Sequence, residues 1–224
     1  MNTPLNKEEH LDEATWKARL GAGGHELGFD LDASQQDLLW RYGILLRERN
    51  QHVNLTSIDT PAGILTLHML DSLTLMPHLG DAKRIIDVGT GGGFPGVPLA
   101  VACPERHFTL IDGTQKKIRF VAESVAALDI RNAHAVAARA ELYAGEKKFD
   151  VVIARAVGGL IDVLHNTQSL LGPHGRVLAM KGKSPEDEVR ALPRGWRAEV
   201  TVLRVPGLDA ERHLVVISRQ ASRS

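Results

Sequence analysis

The hydrophobic pattern changes character near residue 84. Before it, apolar residues recur at helical spacing; after it, short β-rich runs alternate with helical stretches. Leu38, Leu39, Tyr42, Leu45 and Leu46 form one helical stripe that runs to about Asn50. Ser34-Gln35-Gln36-Asp37, just before it, resembles a capping box in which hydroxyl and carboxylate satisfy the first free N–H groups. Thr60-Pro61 is a second helix start, with proline at the first helical position, and Ile64, Leu67, Leu70 and Leu73 carry that helix to about His78. Residues 11–20 read as weakly helical, stopped by Gly21-Ala22-Gly23-Gly24, and residues 1–10 as frayed. Residues 1–80 are therefore expected to form an N-terminal extension and a small helical module without strands.

From residue 84 the expected strands are 84–88, 107–111, 133–137, 149–154 and 176–180. Helices are expected over 95–102, 116–128, 160–171 (closed by Gly172-Pro173) and 186–192. The run 149–154 is apolar throughout, as suits a strand buried on both faces. Two last strands, 198–205 and 213–218, follow with no helix between them, which implies an antiparallel pair. Strand–helix alternation predicts an α/β doubly wound sheet over residues 81–224.

Composition narrows the class without changing that picture. The 224 residues are 43% hydrophobic and 24% charged, as in ordinary globular chains. The net charge of +0 conceals a division: residues 1–83 hold 7 Lys/Arg against 12 Asp/Glu, and residues 84–224 hold 20 against 15. That is not the footprint of a dedicated nucleic-acid binder, although a local basic face is compatible with it. One cysteine, Cys103, excludes an intrachain disulfide. No apolar run approaches the roughly 20 residues needed to cross a bilayer, and the polar N-terminus lacks the apolar core of a signal peptide. A cytoplasmic, monomeric protein is expected. The ten histidines show no metal spacing, so no metal is expected.

The chemistry concentrates at the first strand–turn–helix junction. Gly89, Gly91, Gly92, Gly93 and Gly96 place five glycines within eight positions. Such a turn lets bare backbone approach a ligand, and the helix behind it offers free N–H groups. Two readings share these letters. Gly91–Gly96 is a literal G-x-G-x-x-G, the nicotinamide or flavin fingerprint. Asp87–Gly93 is an acid-x-G-x-G-x-G run of the kind associated with S-adenosylmethionine-dependent methyltransferases. Asp112, at the end of the second strand, suits ribose hydroxyls in either reading. Three features favour the second. An acid before the first glycine suits a cationic amino acid end and sits poorly beside a pyrophosphate. The turn follows a helical module instead of opening the chain. The terminal hairpin fits a sheet whose last strand inserts antiparallel.

Longer matches then make the chain resemble the bacterial small-subunit rRNA guanine-N7 methyltransferase family, also called glucose-inhibited division protein B. They include Asn54-Leu55-Thr56, His68-Met69-Leu70-Asp71-Ser72, Asp87–Pro98, Phe108–Asp112, Lys116–Phe120, Arg139-Ala140-Glu141, Ala154-Arg155-Ala156, Met180-Lys181-Gly182 and Leu208–Ile217. In order, they cover about residues 50–218. The resemblance implies a class I, Rossmann-like methyltransferase fold, with a seven-stranded sheet whose last strand is antiparallel, plus the helical module. It implies methyl transfer from S-adenosylmethionine to N7 of a guanine in the 530 loop of 16S rRNA, with 16S rRNA or the 30S subunit as partner. Carried over by position, cofactor contacts fall on Gly89, Phe94, Ala140, Glu141 and Arg155, beside Asp87, Gly91 and Asp112 of the turn and second strand. Guanine N7 carries a free lone pair, so alignment and electrostatics suffice without a general base.

Other residues carry two readings each. His68 and Asp71, one turn apart, line the cleft or make a helix-surface or interdomain contact. Lys116, Lys117 and Arg119 form a basic RNA rim or an ordinary charged helix face. Arg155 and Lys181 leave strands at their carboxyl ends and are candidates for positioning the substrate. Gly182-Lys183-Ser184 mimics a P-loop tail, but Val177 stands where that motif needs glycine. Arg212 and His213 are placed to reach RNA, while Arg139, Arg176, Arg194 and Arg197 read as surface residues.

Overall fold

The structure is a computed structural model that describes residues 11–145, 148–155 and 158–220. The segment expected to be frayed, 1–10, and Ala156 of the Ala154-Arg155-Ala156 match lie outside the described residues.

Seven strands form one sheet: β1 (Arg84–Val88), β2 (His107–Asp112), β3 (Ala133–Ala137), β4 (Phe149–Arg155), β5 (Leu171–Lys181), β6 (Trp196–Leu203) and β7 (Arg212–Arg219). Their order is β3-β2-β1-β4-β5-β7-β6. The first five are parallel; β7 runs antiparallel to β5 and to β6. This is the expected seven-stranded α/β sheet with an antiparallel last strand.

Alternation along β1 decides the layers, because successive side chains point to opposite faces. Ile85 joins a cluster with Leu110, Val151, Ile153 and Leu178. Ile86 and Val88 join a second one with Ile111, Val152, Val177 and Val215. The first face is covered by α5 (Gly96–Ala102), α6 (Gln115–Ala127) and the N-terminal helices. The second is covered by α7 (Leu160–Thr167), and Val189 of the short α8 (Glu186–Arg190) packs against it. Leu39, Tyr42, Leu46 and Met69 of the helical module share the first cluster with the sheet.

Four local expectations are corrected. The first helix, α1 (Glu13–Glu26), runs through the glycines instead of stopping at them. A Cβ at Gly23 would come within 2.5 Å of Leu70, so close packing outweighs the cost of about 1 kcal/mol for a helical glycine. The second, α2 (Ala33–Asn50), is capped by Asp32, not Ser34: the Asp32 carboxylate accepts from Gln35 N at 2.8 Å, and Gln35 Oε1 accepts from Asp32 N at 2.9 Å. The third helix is not continuous. It passes from α3 (Pro61–Ile64) through a π-helical turn (Leu65–Leu70) to α4 (Asp71–Leu73) and a 3₁₀ turn (Met76–His78). Within it the hydroxyls of Ser72 and Thr74 donate to the carbonyls of His68 and Asp71, competing with regular helix pairing. Finally, Gly172-Pro173 does not close a helix over 160–171. α7 ends at Thr167, and the pair lies in β5, where the register jumps from Phe149↔Leu171 to Val151↔Arg176. A bulge accommodates a proline that has no N–H to give.

Candidate functional site

The glycine turn is built around two buried carboxylates. Asp87, fully buried at the end of β1, uses Oδ2 to accept from Thr90 Oγ1 at 2.7 Å and from Gly96 N at 2.8 Å. Burial pushes its pKa up to about 6; the hydrogen bonds from Thr90 and Gly96 pull the other way. Asp112, ending β2, accepts from Gly91 N at 2.9 Å and from Thr114 N at 2.7 Å. The turn is thus tied to both strands that flank it. Gly89 itself takes a positive φ of 71°, a conformation that side chains disfavour.

The helical module braces the same turn from behind. The Tyr42 hydroxyl, from α2, donates to Gly92 O at 2.8 Å. A Cβ at Gly93 would fall 2.0 Å from that hydroxyl oxygen. Burial, reinforced by the Asp87 charge, raises the Tyr42 pKa and keeps it a neutral donor. Gln35 Nε2 donates to Val101 O at 3.1 Å, fixing α2 to the end of α5.

A cavity of about 310 Å³ opens in front of the turn, at the carboxyl ends of β1, β2 and β4. Open α/β sheets bind ligands at this edge. Gly89, Asp112, Ala140 and Glu141 line it, opposite Asp162 and Asn166 of α7. Of the residues singled out from sequence, these first four are brought together around one space. Asp87, Gly91, Phe94 and Arg155 are not part of that lining. Asp87 and Gly91 act within the turn, as described. Phe94 is buried and stacks on His68 at 4.4 Å between ring centres, with the rings 14° apart.

Arg155 faces the helical module. Its Nη1 lies 3.3 Å from Asp71 Oδ2, and its Nη2 donates to Leu67 O at 2.7 Å. Arg212 Nε, at the start of β7, reaches Asp71 Oδ1 at 3.1 Å. His68 Nε2 lies 2.8 Å from Thr56 Oγ1. Burial, and then the charge of Arg155, pushes the His68 pKa down to about 3, so its imidazole is neutral at physiological pH. Asp71 thus ties the N-terminal helices to β4 and β7. Lys181 pairs with Glu188 at 2.9 Å and donates to Gly158 O, beside the cavity.

Sequence reasoning missed several of these residues. Arg139 is exposed, as its surface reading expects, but it also lines the cavity, which that reading did not include. Arg176 also reads as a surface residue, yet its Nη2 donates to the carbonyls of His78 and Leu79 and anchors β5 to the module. Asp162 and Asn166 carried a usable signal, since their i,i+4 spacing puts two polar groups on one face of the helix after β4. Arg119 pairs with Glu123, which also takes Arg49, so that helix face is at least partly engaged in ion pairs. Among the described residues no cluster of His, Cys, Asp and Glu is placed to hold a metal, and no helix is long and apolar enough to cross a membrane.

Comparison with known proteins agrees with this architecture. The GidB family model, described as rRNA small subunit methyltransferase G, matches residues 35–215. The chain is 44% identical over 193 residues to Ribosomal RNA small subunit methyltransferase G of Escherichia fergusonii, spanning 86% of this chain and 93% of that one. It is 44% identical over 207 residues to the protein of the same name from Aromatoleum aromaticum, spanning 90% and 98%. A solved SAM dependent methyltransferase from Aquifex aeolicus shares the fold, with a TM-score of 0.55 at 16% identity over 75% of this chain and 97% of that one. With a family model across most of its length and relatives matched nearly end to end, the chain belongs to the rRNA small subunit methyltransferase G family.

Proposed function

We propose that this chain transfers the methyl group of S-adenosylmethionine to N7 of a guanine in the 530 loop of 16S rRNA. The observation that carries the reading is the cavity in front of Gly89, on a chain of this family. Its size falls at the lower end of the roughly 300–1,000 Å³ typical of small-molecule sites. The donor set fits the cofactor. Asp112 commits one backbone contact to each oxygen and keeps lone pairs for ribose hydroxyls. Glu141 and the backbone of Ala140 border the cavity where an adenine edge needs polar partners. Gly89 leaves the methionine end open to backbone approach. Asp87, Gly91 and Phe94 hold the turn in shape, and the partly exposed Arg155 and Lys181, backed by the buried His68 and Asp71, form the edge that the target nucleotide meets.

S-adenosylmethionine, when bound, supplies an electrophilic methyl carbon. Guanine N7 presents a lone pair, so no side chain has to remove a proton first. The protein's task is alignment in a preorganised site. In an A-form helix the N7 edge faces a deep, narrow groove, which favours an unpaired guanine such as one in a loop.

The test is incubation with labelled S-adenosylmethionine and 30S subunits or 16S rRNA lacking the modification. Label is expected in 16S rRNA as 7-methylguanine within the 530 loop. Label confined to protein or to another RNA position would refute the proposal.

A further inference from the structure

We propose that Arg212, held by Asp71 beside Arg155, binds a backbone phosphate of the RNA strand that carries the target guanine. This rests on the rRNA reading above and adds the contact that presents the strand.

Asp71 is sealed, its side chain 2% exposed, while those of Arg155 and Arg212 are 21% and 26% exposed. Among the described residues Asp71 is the one carboxylate within ion-pair distance of either arginine. Asp87, the next acid, acts on Arg155 only from beyond that distance and spends itself on Thr90 and Gly96. The cluster therefore joins two guanidinium groups to one carboxylate, and the surplus charge lies on the side open to solvent. A lone buried carboxylate needs one cation to offset its desolvation. The second arginine goes beyond what Asp71 requires.

The hydrogen bonds identify which arginine is available. Arg155 gives Nη2 to Leu67 O, and its Nη1, 3.3 Å from Asp71 in an ion pair without a hydrogen bond, is buried away from solvent. Arg212 uses Nε on Asp71 and Nη1 on Glu211 O, and its Nη2 has no hydrogen bond among the described residues. Lys181 differs, since Glu188 neutralises it. A planar guanidinium with a fixed fork suits a phosphate oxygen.

Position supports the same ligand. Ala154, next to Arg155, lines the cavity. Lys181, the last residue of β5, pairs in register with His213, so Arg212 stands one residue beyond the carboxyl end of β5. Asp71 directly follows the π-helical turn, and such turns recur at functional sites. A strand crossing this edge meets Arg212 while its base is directed toward the cavity.

The experiment measures binding of the full chain to undermethylated 30S subunits over a salt series with S-adenosylhomocysteine present. Each phosphate contact contributes about 0.7–0.9 to the slope of log K against log salt. Arg212→Gln is expected to lower that slope by about one contact, raise KM for the RNA roughly tenfold, and leave S-adenosylhomocysteine affinity within about twofold. An unchanged slope, or a parallel loss of S-adenosylhomocysteine affinity, overturns the inference. If the glutamine variant fails to fold, Arg212→Lys keeps the charge and loses the fork. Its salt slope should match the wild type while KM for RNA rises, and an unchanged KM overturns the inference. Wild-type protein that neither binds nor methylates 16S rRNA would instead remove the functional reading itself.

Discussion

At the scale of single residues, two buried titratable groups act against each other. His68 is pushed down to about 3 from its ordinary 6.5. As pH falls, the unfolded chain takes up this proton before the folded one, so stability from His68 is lost between about pH 6.5 and about pH 3. Asp87 is pushed up to about 6 from 3.8. Here the folded chain binds the proton first, so its contribution is full below about pH 4 and lost as pH rises through about 6. The slopes oppose across the same window. Asp87→Asn is expected to make stability rise more steeply with pH than in the wild type, and His68→Gln to make it rise less steeply or fall. Urea unfolding at about pH 4.5 and about pH 6.5 reads the difference, each full effect being on the order of 3–5 kcal/mol. Identical slopes in all three proteins would rule out this assignment. Neither shift was legible in the sequence, because burial is the first cause of both.

At the scale of elements, capping separates what the sequence signals from what the chain does. The sequence signals a capping box at Ser34, and the structure instead uses one that starts at Asp32. Asp32→Ala is expected to lower stability by about 1 kcal/mol, whereas Ser34→Ala, inside the helix, should change it by only a few tenths. Urea midpoints distinguish them, and equal losses would return the cap to Ser34. Polar residues near a helix start show that a cap exists; which one serves depends on where neighbouring elements stop the helix. Gln35 illustrates the point, since it closes the box and also reaches Val101 O. The broken helix over 61–78 has the same origin. Its apolar spacing is helical, yet Leu70 must meet Gly23 while Asp71 meets Arg155 and Arg212, and a π turn supplies the change of phase.

At the scale of the whole molecule, the proposed cofactor site would couple ligand binding to folding through the cavity. S-adenosylhomocysteine at about 100 times its Kd should stabilise the native state by about 2.7 kcal/mol, read as a rise in Tm. Gly89→Asp should keep a cooperative transition and lose that rise, because it puts a side chain and a charge into the cavity at a residue with φ of 71°. A retained shift would mean that the ligand sits elsewhere. Local periodicity and residue type by themselves determined the α/β class, the seven strands, the antiparallel terminal pair and the glycine turn. Each is encoded within a few consecutive residues, where alternation, apolar runs and glycines act directly on the backbone. Only the tertiary structure decided that Tyr42 braces Gly92 and that Asp71 gathers Arg155 and Arg212, just as it alone brought Asp162 and Asn166 into the lining of the cavity. Those contacts join residues 50 to 141 positions apart, and distances of that kind are set by how the layers pack, which no local pattern records.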